Sequence, residues 1–338
     1  MLLRRKLVLS VLVAAFASGI VAGCSSLDQW ERRTLFQHEA ALRVDGRDAP
    51  DGAAEFDLAV PGGGVTGQDR VHVWYPAASK PAAPTVLYLH GARHNLYCNA
   101  ACIERLHALG YNVLALDYRG FGRSTLIPPS EQSAIEDARL AYAELVRREP
   151  DPARRIVYAY SLGGAVAIAL AISIDEVGGE AIAGLVVESS FTSIPDLLRT
   201  MRWGWLPFLQ LAVTNDFDSE RRIGSVDKPL LFVHGTADSI VPHTMSDRLH
   251  TAARKVPDEY KRVIKIDGAS HRGALSMAAS DYGDALHQFA TLAASRVTTR
   301  AGTRAVSSAS VPPTVAAGVV SVGTQPLPAR PVHAQPLH

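Results

Sequence analysis

From about residue 55 to residue 295 the chain alternates short apolar runs with longer stretches whose apolar positions recur every three to four residues. Val71-His-Val-Trp-Tyr has the two-residue period of a strand and stops at Pro76. Thr85–Leu89, Asn112–Leu116, Ile156–Tyr160, Gly184–Val187, Pro229–Val233 and Arg262–Ile266 are short, mostly apolar and rich in β-branched residues. Helical spacing predicts helices over Cys98–Leu109 (stopped by Gly110), Ser133–Arg147 (closed by Pro150), the stretch from Ser161 onward, Thr244–Arg254 and Gly273–Ala294. Apolar strands separated by helices imply a parallel sheet covered on both faces. The fold class is therefore α/β, with a mostly parallel central sheet. In such sheets ligands bind beyond the carboxyl ends of the strands, and that is where the glycines and polar residues of this chain gather.

The flanks follow other rules. Met1-Leu-Leu-Arg-Arg-Lys is a positive n-region, and Leu7–Val21 is an apolar h-region closed by Val21-Ala22-Gly23-Cys24. Residues 1–23 read as a signal peptide, and an uncleaved membrane anchor is the alternative. Val-Ala-Gly-Cys resembles a bacterial lipobox, which implies lipidation of Cys24. With Ser25 following and no aspartate retention signal, the resemblance implies a lipid anchor in the outer membrane facing the periplasm. Residues 24–54 then form a linker, with one helical turn around Trp30–Leu42. Residues 296–338, rich in Ser, Pro, Ala and Val without a period, are expected to be disordered.

Composition narrows the function. With 34 Lys and Arg against 33 Asp and Glu, the net charge is +1, and nothing marks a nucleic-acid partner. No metal-ligand spacing is present. In an oxidising compartment Cys98 and Cys102, one helical turn apart, are read either as a small disulfide or as two buried thiols.

Candidate chemistry lies at four strand ends. Ser161, in Ala159-Tyr-Ser-Leu-Gly-Gly, is either a nucleophile on a sharp strand-to-helix turn or a helix cap. Asp238 and His271 follow two later strands. Of the histidines after Asp238, His271 alone occupies a polar turn just past a strand. In these roles His271 takes the serine proton and Asp238 holds the imidazole in one tautomer. The backbone N–H groups of Leu162 and of Ala92, in the loop after His90-Gly91, meet the developing oxyanion.

The order Ser, Asp, His is that of the α/β-hydrolases. Residues 70–290 resemble that superfamily, in particular its serine-aminopeptidase-like and monoacylglycerol-lipase-like branch. The matching stretches are His90-Gly-Ala-Arg-His-Asn-Leu, Asp117-Tyr-Arg-Gly-Phe-Gly-Arg-Ser, Tyr158-Ala-Tyr-Ser-Leu-Gly-Gly-Ala, Glu188-Ser-Ser-Phe-Thr-Ser, His234-Gly-Thr-Ala-Asp-Ser-Ile-Val-Pro and Gly268-Ala-Ser-His. The resemblance implies a triad of Ser161, Asp238 and His271, an oxyanion hole at Ala92 and Leu162, structural roles for His90 and Asp117, and no metal or organic cofactor. Ala159 departs from the family's first elbow glycine, and Tyr160 stands where many relatives carry histidine. Residues 55–295 form the hydrolase domain, with a short cap inserted at about 191–227. Its Trp203, Trp205 and Phe208 either pack the cap down or, with Tyr160, line an acyl pocket. The expected activity is a serine hydrolase cleaving small carboxylic esters or thioesters through an acyl-enzyme. An exopeptidase would need a cap acid such as Asp196, Asp216 or Asp218 to hold a substrate amine. A non-catalytic envelope binding protein is the rival of another class.

Overall fold

The structure is a computed structural model. It describes residues 48–309 except 79, 81, 94, 177–180, 202–212 and 273–278, together with Phe36. In chain order the main elements are β1 (Ala54–Ala59), β2 (Arg70–Tyr75), β3 (Thr85–Leu89), α1 (Leu96–Ala108), β4 (Asn112–Leu116), α2 (Glu131–Arg148), β5 (Arg155–Tyr160), α3 (Leu162–Glu176), β6 (Gly184–Glu188), α4 (Ile194–Thr200), α5 (Ser219–Ile223), β7 (Leu230–Gly235), α6 (Thr244–Ala252), β8 (Lys261–Ile266) and α7 (Ala279–Ala309). The eight strands form one sheet in the order β1-β2-β4-β3-β5-β6-β7-β8. β2 runs antiparallel to β1 and β4, and all other neighbours are parallel. The mostly parallel α/β sheet inferred from the apolar runs is thus present.

Strand alternation sends successive side chains to opposite faces, and each face has its own core. Leu87, Leu89, Val157, Ala159, Leu185 and Val187 share a cluster with α2, α3 and α6. Val86, Tyr88, Ile156, Tyr158, Val186 and Val233 share the other with α1 and α7. The caps explain where helices begin. Asn95 accepts the Cys98 N–H at the start of α1, and Ser130 with Ser133 forms a reciprocal capping box on α2.

Several expectations change. β1 begins at Ala54, inside the stretch read as linker. Its residues Ala-Glu-Phe-Asp-Leu-Ala are mostly polar or small because it is an edge strand with an exposed face. Cys98 and Cys102 are separate thiols, not a disulfide. Both sit inside α1, where Cβ atoms four residues apart lie about 5–6 Å from each other; a disulfide needs about 3.5–4.5 Å. Burial pushes the Cys102 thiol up to about 11. α7 continues to Ala309, past the boundary expected at residue 296. Residues 296–309 carry no proline, and the prolines that suggested disorder begin at Pro312. Arg296 is buried, with its guanidinium 4.4 Å from the centre of the Tyr260 ring. Arg300–Ala309 is the described part of a second compact unit, Arg300–His338, and is helical. The signal peptide, Cys24, Trp203, Trp205 and Phe208 lie outside the described residues.

Candidate active site

β5 ends at Tyr160 and α3 begins at Leu162, so one residue makes the turn between them. That residue, Ser161, has φ of 52°. A non-glycine residue in this left-handed region carries about 1–2 kcal/mol of strain. The end of β6 and the first turn of α3 hold it there: the Ser161 N–H donates to the Glu188 carbonyl at 2.8 Å, and the Gly164 N–H donates to the Ser161 carbonyl at 2.9 Å. Two glycines let α3 sit this close to the sheet. A Cβ on Gly163 would lie 2.1 Å from the Leu89 carbonyl oxygen, and one on Gly164 would lie 2.5 Å from Ser190 Cβ. Ala159, the departure from the usual elbow glycine, pairs with Leu89 and Val187 and is fully buried in the core cluster under α3. Its methyl fills core space, while the crowding falls on the two glycines after the serine.

The structure brings Ser161, Asp238 and His271 together. Ser161 Oγ lies 3.1 Å from His271 Nε2, and His271 Nδ1 lies 2.7 Å from Asp238 Oδ2. The other Asp238 oxygen accepts the N–H groups of Ile240 and Val241, each at 2.9 Å. Facing a carboxylate, Nδ1 of His271 carries the proton, which leaves Nε2 to accept from the serine hydroxyl. The Asp238 side chain is fully buried and that of His271 is 12% exposed. Burial alone would raise the pKa of Asp238. Hydrogen bonds from His234 and His271, the charge of His271 and the Val241 N–H outweigh it and hold the carboxyl well below the usual carboxylate range. Asp238 therefore stays ionised beside the imidazole.

The expected oxyanion donors are near this serine. Leu162 is the first residue of α3, so its N–H has no acceptor within the helix. A Cβ on Gly91 would lie 3.2 Å from Ser161 Cβ and 3.1 Å from the Tyr160 ring, which places the loop carrying Ala92 against the turn. Tyr160 is half-buried, with its ring centre 5.1 Å from that of His271. Together the groups can activate a hydroxyl, hold its proton and present backbone N–H groups to an oxyanion. Among the described residues no three His, Cys, Asp or Glu side chains converge as a metal site requires. A surface cleft of about 740 Å³, lined among others by Glu220, Arg221, Arg248 and Arg254, includes none of the three residues.

Sequence reasoning gave no role to three side chains here. His234 Nε2 lies 3.1 Å from Asp238 Oδ2 and 3.0 Å from the Val241 carbonyl, both acceptors, so this nitrogen carries the proton. Nδ1 then accepts from Ser246 Oγ at 2.7 Å. The signal was the four-residue spacing to Asp238 in His234-Gly-Thr-Ala-Asp. Glu188, fully buried at the end of β6, accepts from the Tyr158 hydroxyl, which lies 2.7 Å from that of Tyr282. Burial pushes Glu188 up to about 7, against the Tyr158 hydrogen bond and the charge of Arg272. Arg272, beside His271, reaches back to α1.

Residues 80–217 match the family described as serine aminopeptidase, S33. The chain is 36% identical over 224 residues to the uncharacterized protein Rv2307c of Mycobacterium tuberculosis, covering 66% of this chain and 75% of that protein. The crystal structure of an alpha-beta hydrolase from Vibrio vulnificus superposes with a TM-score of 0.62 at 19% identity, over 77% of this chain and 92% of that one. The chain belongs to the α/β-hydrolase superfamily. It is also 30% identical over 199 residues to the zebrafish (Danio rerio) lysophosphatidylserine lipase ABHD12, spanning 53% of this chain and 50% of that protein. In this α/β-hydrolase the family match contains Ser161 and ends before Asp238 and His271. Those two stand beside the serine by geometry alone.

Proposed function

We propose that this α/β-hydrolase cleaves carboxylic ester or thioester bonds through an acyl-enzyme. The observation that carries the reading is the continuous chain from Ser161 Oγ through His271 to the buried Asp238. In this scheme Ser161 Oγ attacks the substrate carbonyl while His271 Nε2 takes its proton. The oxyanion accepts from the N–H groups of Leu162 and Ala92. His271 returns the proton to the departing alcohol or thiol, and a water molecule, deprotonated at the same nitrogen, releases the acid. Asp238 keeps the imidazole in the required tautomer and stabilises its charged form.

The family match and one named relative support the general activity: the match is to a hydrolase family, and one relative is named a lipase. The exopeptidase alternative is weakened by what two of its three candidate cap acids already do. Asp196 accepts from Arg199, Arg248 and Thr192. Asp218 caps α5 through the Arg221 N–H and pairs with the same arginine's side chain. Neither of these two is left for a substrate amine, so the exopeptidase reading would rest on Asp216, which is exposed.

Fluorophosphonate labelling of the wild type, lost in Ser161→Ala, is the expected outcome. Ester turnover should fall with it, by a factor on the order of 10⁶ if the serine contributes as a protease nucleophile does. Paired assays on acyl esters and aminoacyl amides separate the esterase from the peptidase. Turnover that survives Ser161→Ala would overturn the assignment, and inertness of the wild type to serine-directed probes would favour a binding protein.

A further inference from the structure

Arg272 follows the proposed general base directly. Its Nη2 donates to the Cys98 carbonyl and to Asn99 Oδ1, both at 3.1 Å. Asn99 is itself buried and fixed. Its Nδ2 donates to the Asn95 carbonyl at 2.7 Å, and its Oδ1 also accepts from the Tyr88 hydroxyl at 3.2 Å. The guanidinium carbon stands 6.0 Å from the centre of the Tyr160 ring, the ring that leans on His271 and on Gly91. An exposed arginine is thus held in one place, beside the reacting groups, by acceptors that are all neutral.

The charge of this arginine is left largely uncompensated. Among the described residues no carboxylate pairs with Arg272, and its Nε and Nη1 donors have no protein acceptor. Glu188, the acid it influences, is buried below, engaged by Tyr158 and held partly neutral near pH 7 by that burial. One residue past Ala92, Arg93 is exposed and also forms no ion pair among the described residues. Two uncompensated cations therefore occupy the loops that carry the base and an oxyanion donor. A fixed guanidinium with its Nε and Nη1 donors open can meet a phosphate or carboxylate oxygen with charge-assisted single hydrogen bonds.

The mechanism indicates which half of the substrate carries the anion. His271 hands its proton to the leaving oxygen, so the alcohol half of the ester lies against His271. Arg272 is the next residue. Resting on the serine-hydrolase reading, we propose that Arg272 binds an anionic group, phosphate or carboxylate, carried on the alcohol half of the ester.

The test is a set of octanoyl esters differing only in the alcohol: glycerol, glycerol 3-phosphate, glycolate and choline. The wild type should cleave the two anionic esters better than the glycerol ester, and the choline ester worst, with the difference mainly in KM. The ratio of kcat/KM for anionic over neutral ester should be roughly 10- to 100-fold, the range for hydrogen bonds to charged groups. It should shrink as ionic strength rises. Arg272→Gln should collapse that ratio toward one, and Arg272→Lys should recover part of it. A loss merely of local structure would lower all four esters alike, and that result would overturn the proposal. The phosphate and glycolate arms distinguish the two anion sources. Intact fluorophosphonate labelling with equal kcat/KM across the set would overturn this inference alone. Absence of both labelling and turnover would overturn the hydrolase reading and this inference with it.

Discussion

At the scale of single residues the site turns on Ser161, held at φ of 52° by β6 and the first turn of α3. Glycine normally weakens a fixed backbone position relative to alanine by roughly 0.5–1 kcal/mol. Here the left-handed conformation costs alanine about 1–2 kcal/mol that glycine does not incur. Both substitutions remove the hydroxyl and its contact with His271, so that loss cancels between them. Ser161→Gly should therefore be more stable than Ser161→Ala by about 1 kcal/mol, read as a higher urea midpoint at unchanged slope, while both lose fluorophosphonate labelling. Equal midpoints would mean that the turn relaxes when the serine is gone. The chain order of Ser161, Asp238 and His271 was legible because each follows an apolar strand. The contribution of His234 was not, because its meaning depends on the Val241 carbonyl and Ser246, which fix its tautomer.

At the scale of elements the decisive contact is α3 against β3. A helix can start directly behind the serine only if its first turn carries no side chain toward the Leu89 carbonyl, and Gly163 provides this. In Gly163→Ala the added Cβ meets backbone 2.1 Å away, which no rotamer change relieves. The expected cost is about 1–3 kcal/mol or more, as for overpacked cores, seen as a lower thermal midpoint. Because α3 must move away from β3, fluorophosphonate labelling should also slow in protein that remains folded. Apolar runs announced the inner strands because parallel strands are buried on both faces. They did not announce β1, where an edge position allows Glu55 and Asp57 to alternate with Phe56 and Leu58. Nor did spacing decide the Cys98–Cys102 question, since one helical turn brings two residues to the same face without bringing their Cβ atoms within disulfide reach. The end of α7 is hidden in the sequence because residues 296–309 share the small and polar composition of the far C-terminus, although they contain no proline.

At the scale of the whole molecule the sheet separates two cores and places one ionisable group between the site and the second of them. The Glu188 carbonyl holds the Ser161 N–H, while its carboxyl faces Tyr158, and through it Tyr282 of α7. Burial raises this carboxyl from 4.5 to about 7, with the Tyr158 hydrogen bond and the Arg272 charge only partly opposing it. An acid whose folded value is raised gives stability that is complete below its unfolded value and lost as pH climbs through the folded one. Its contribution should therefore fall between about pH 4.5 and 7. Asp238 has the opposite sign, since its folded value is depressed, and its contribution is lost only in acid below the ordinary carboxylate range. Asp117 and Asp137, each raised by burial to about 6, contribute a slope of the same sign as Glu188. Glu188→Gln isolates one group from that sum, because glutamine still accepts from Tyr158 but does not titrate. Measured against the wild type by urea unfolding, the variant should gain relative stability as pH rises from 5 to 8, by up to about 3 kcal/mol. A stability difference between the two proteins that stays flat across that interval would show that Glu188 ionises as an ordinary carboxylate, and that the buried Tyr158–Tyr282 pair under the serine tolerates its charge.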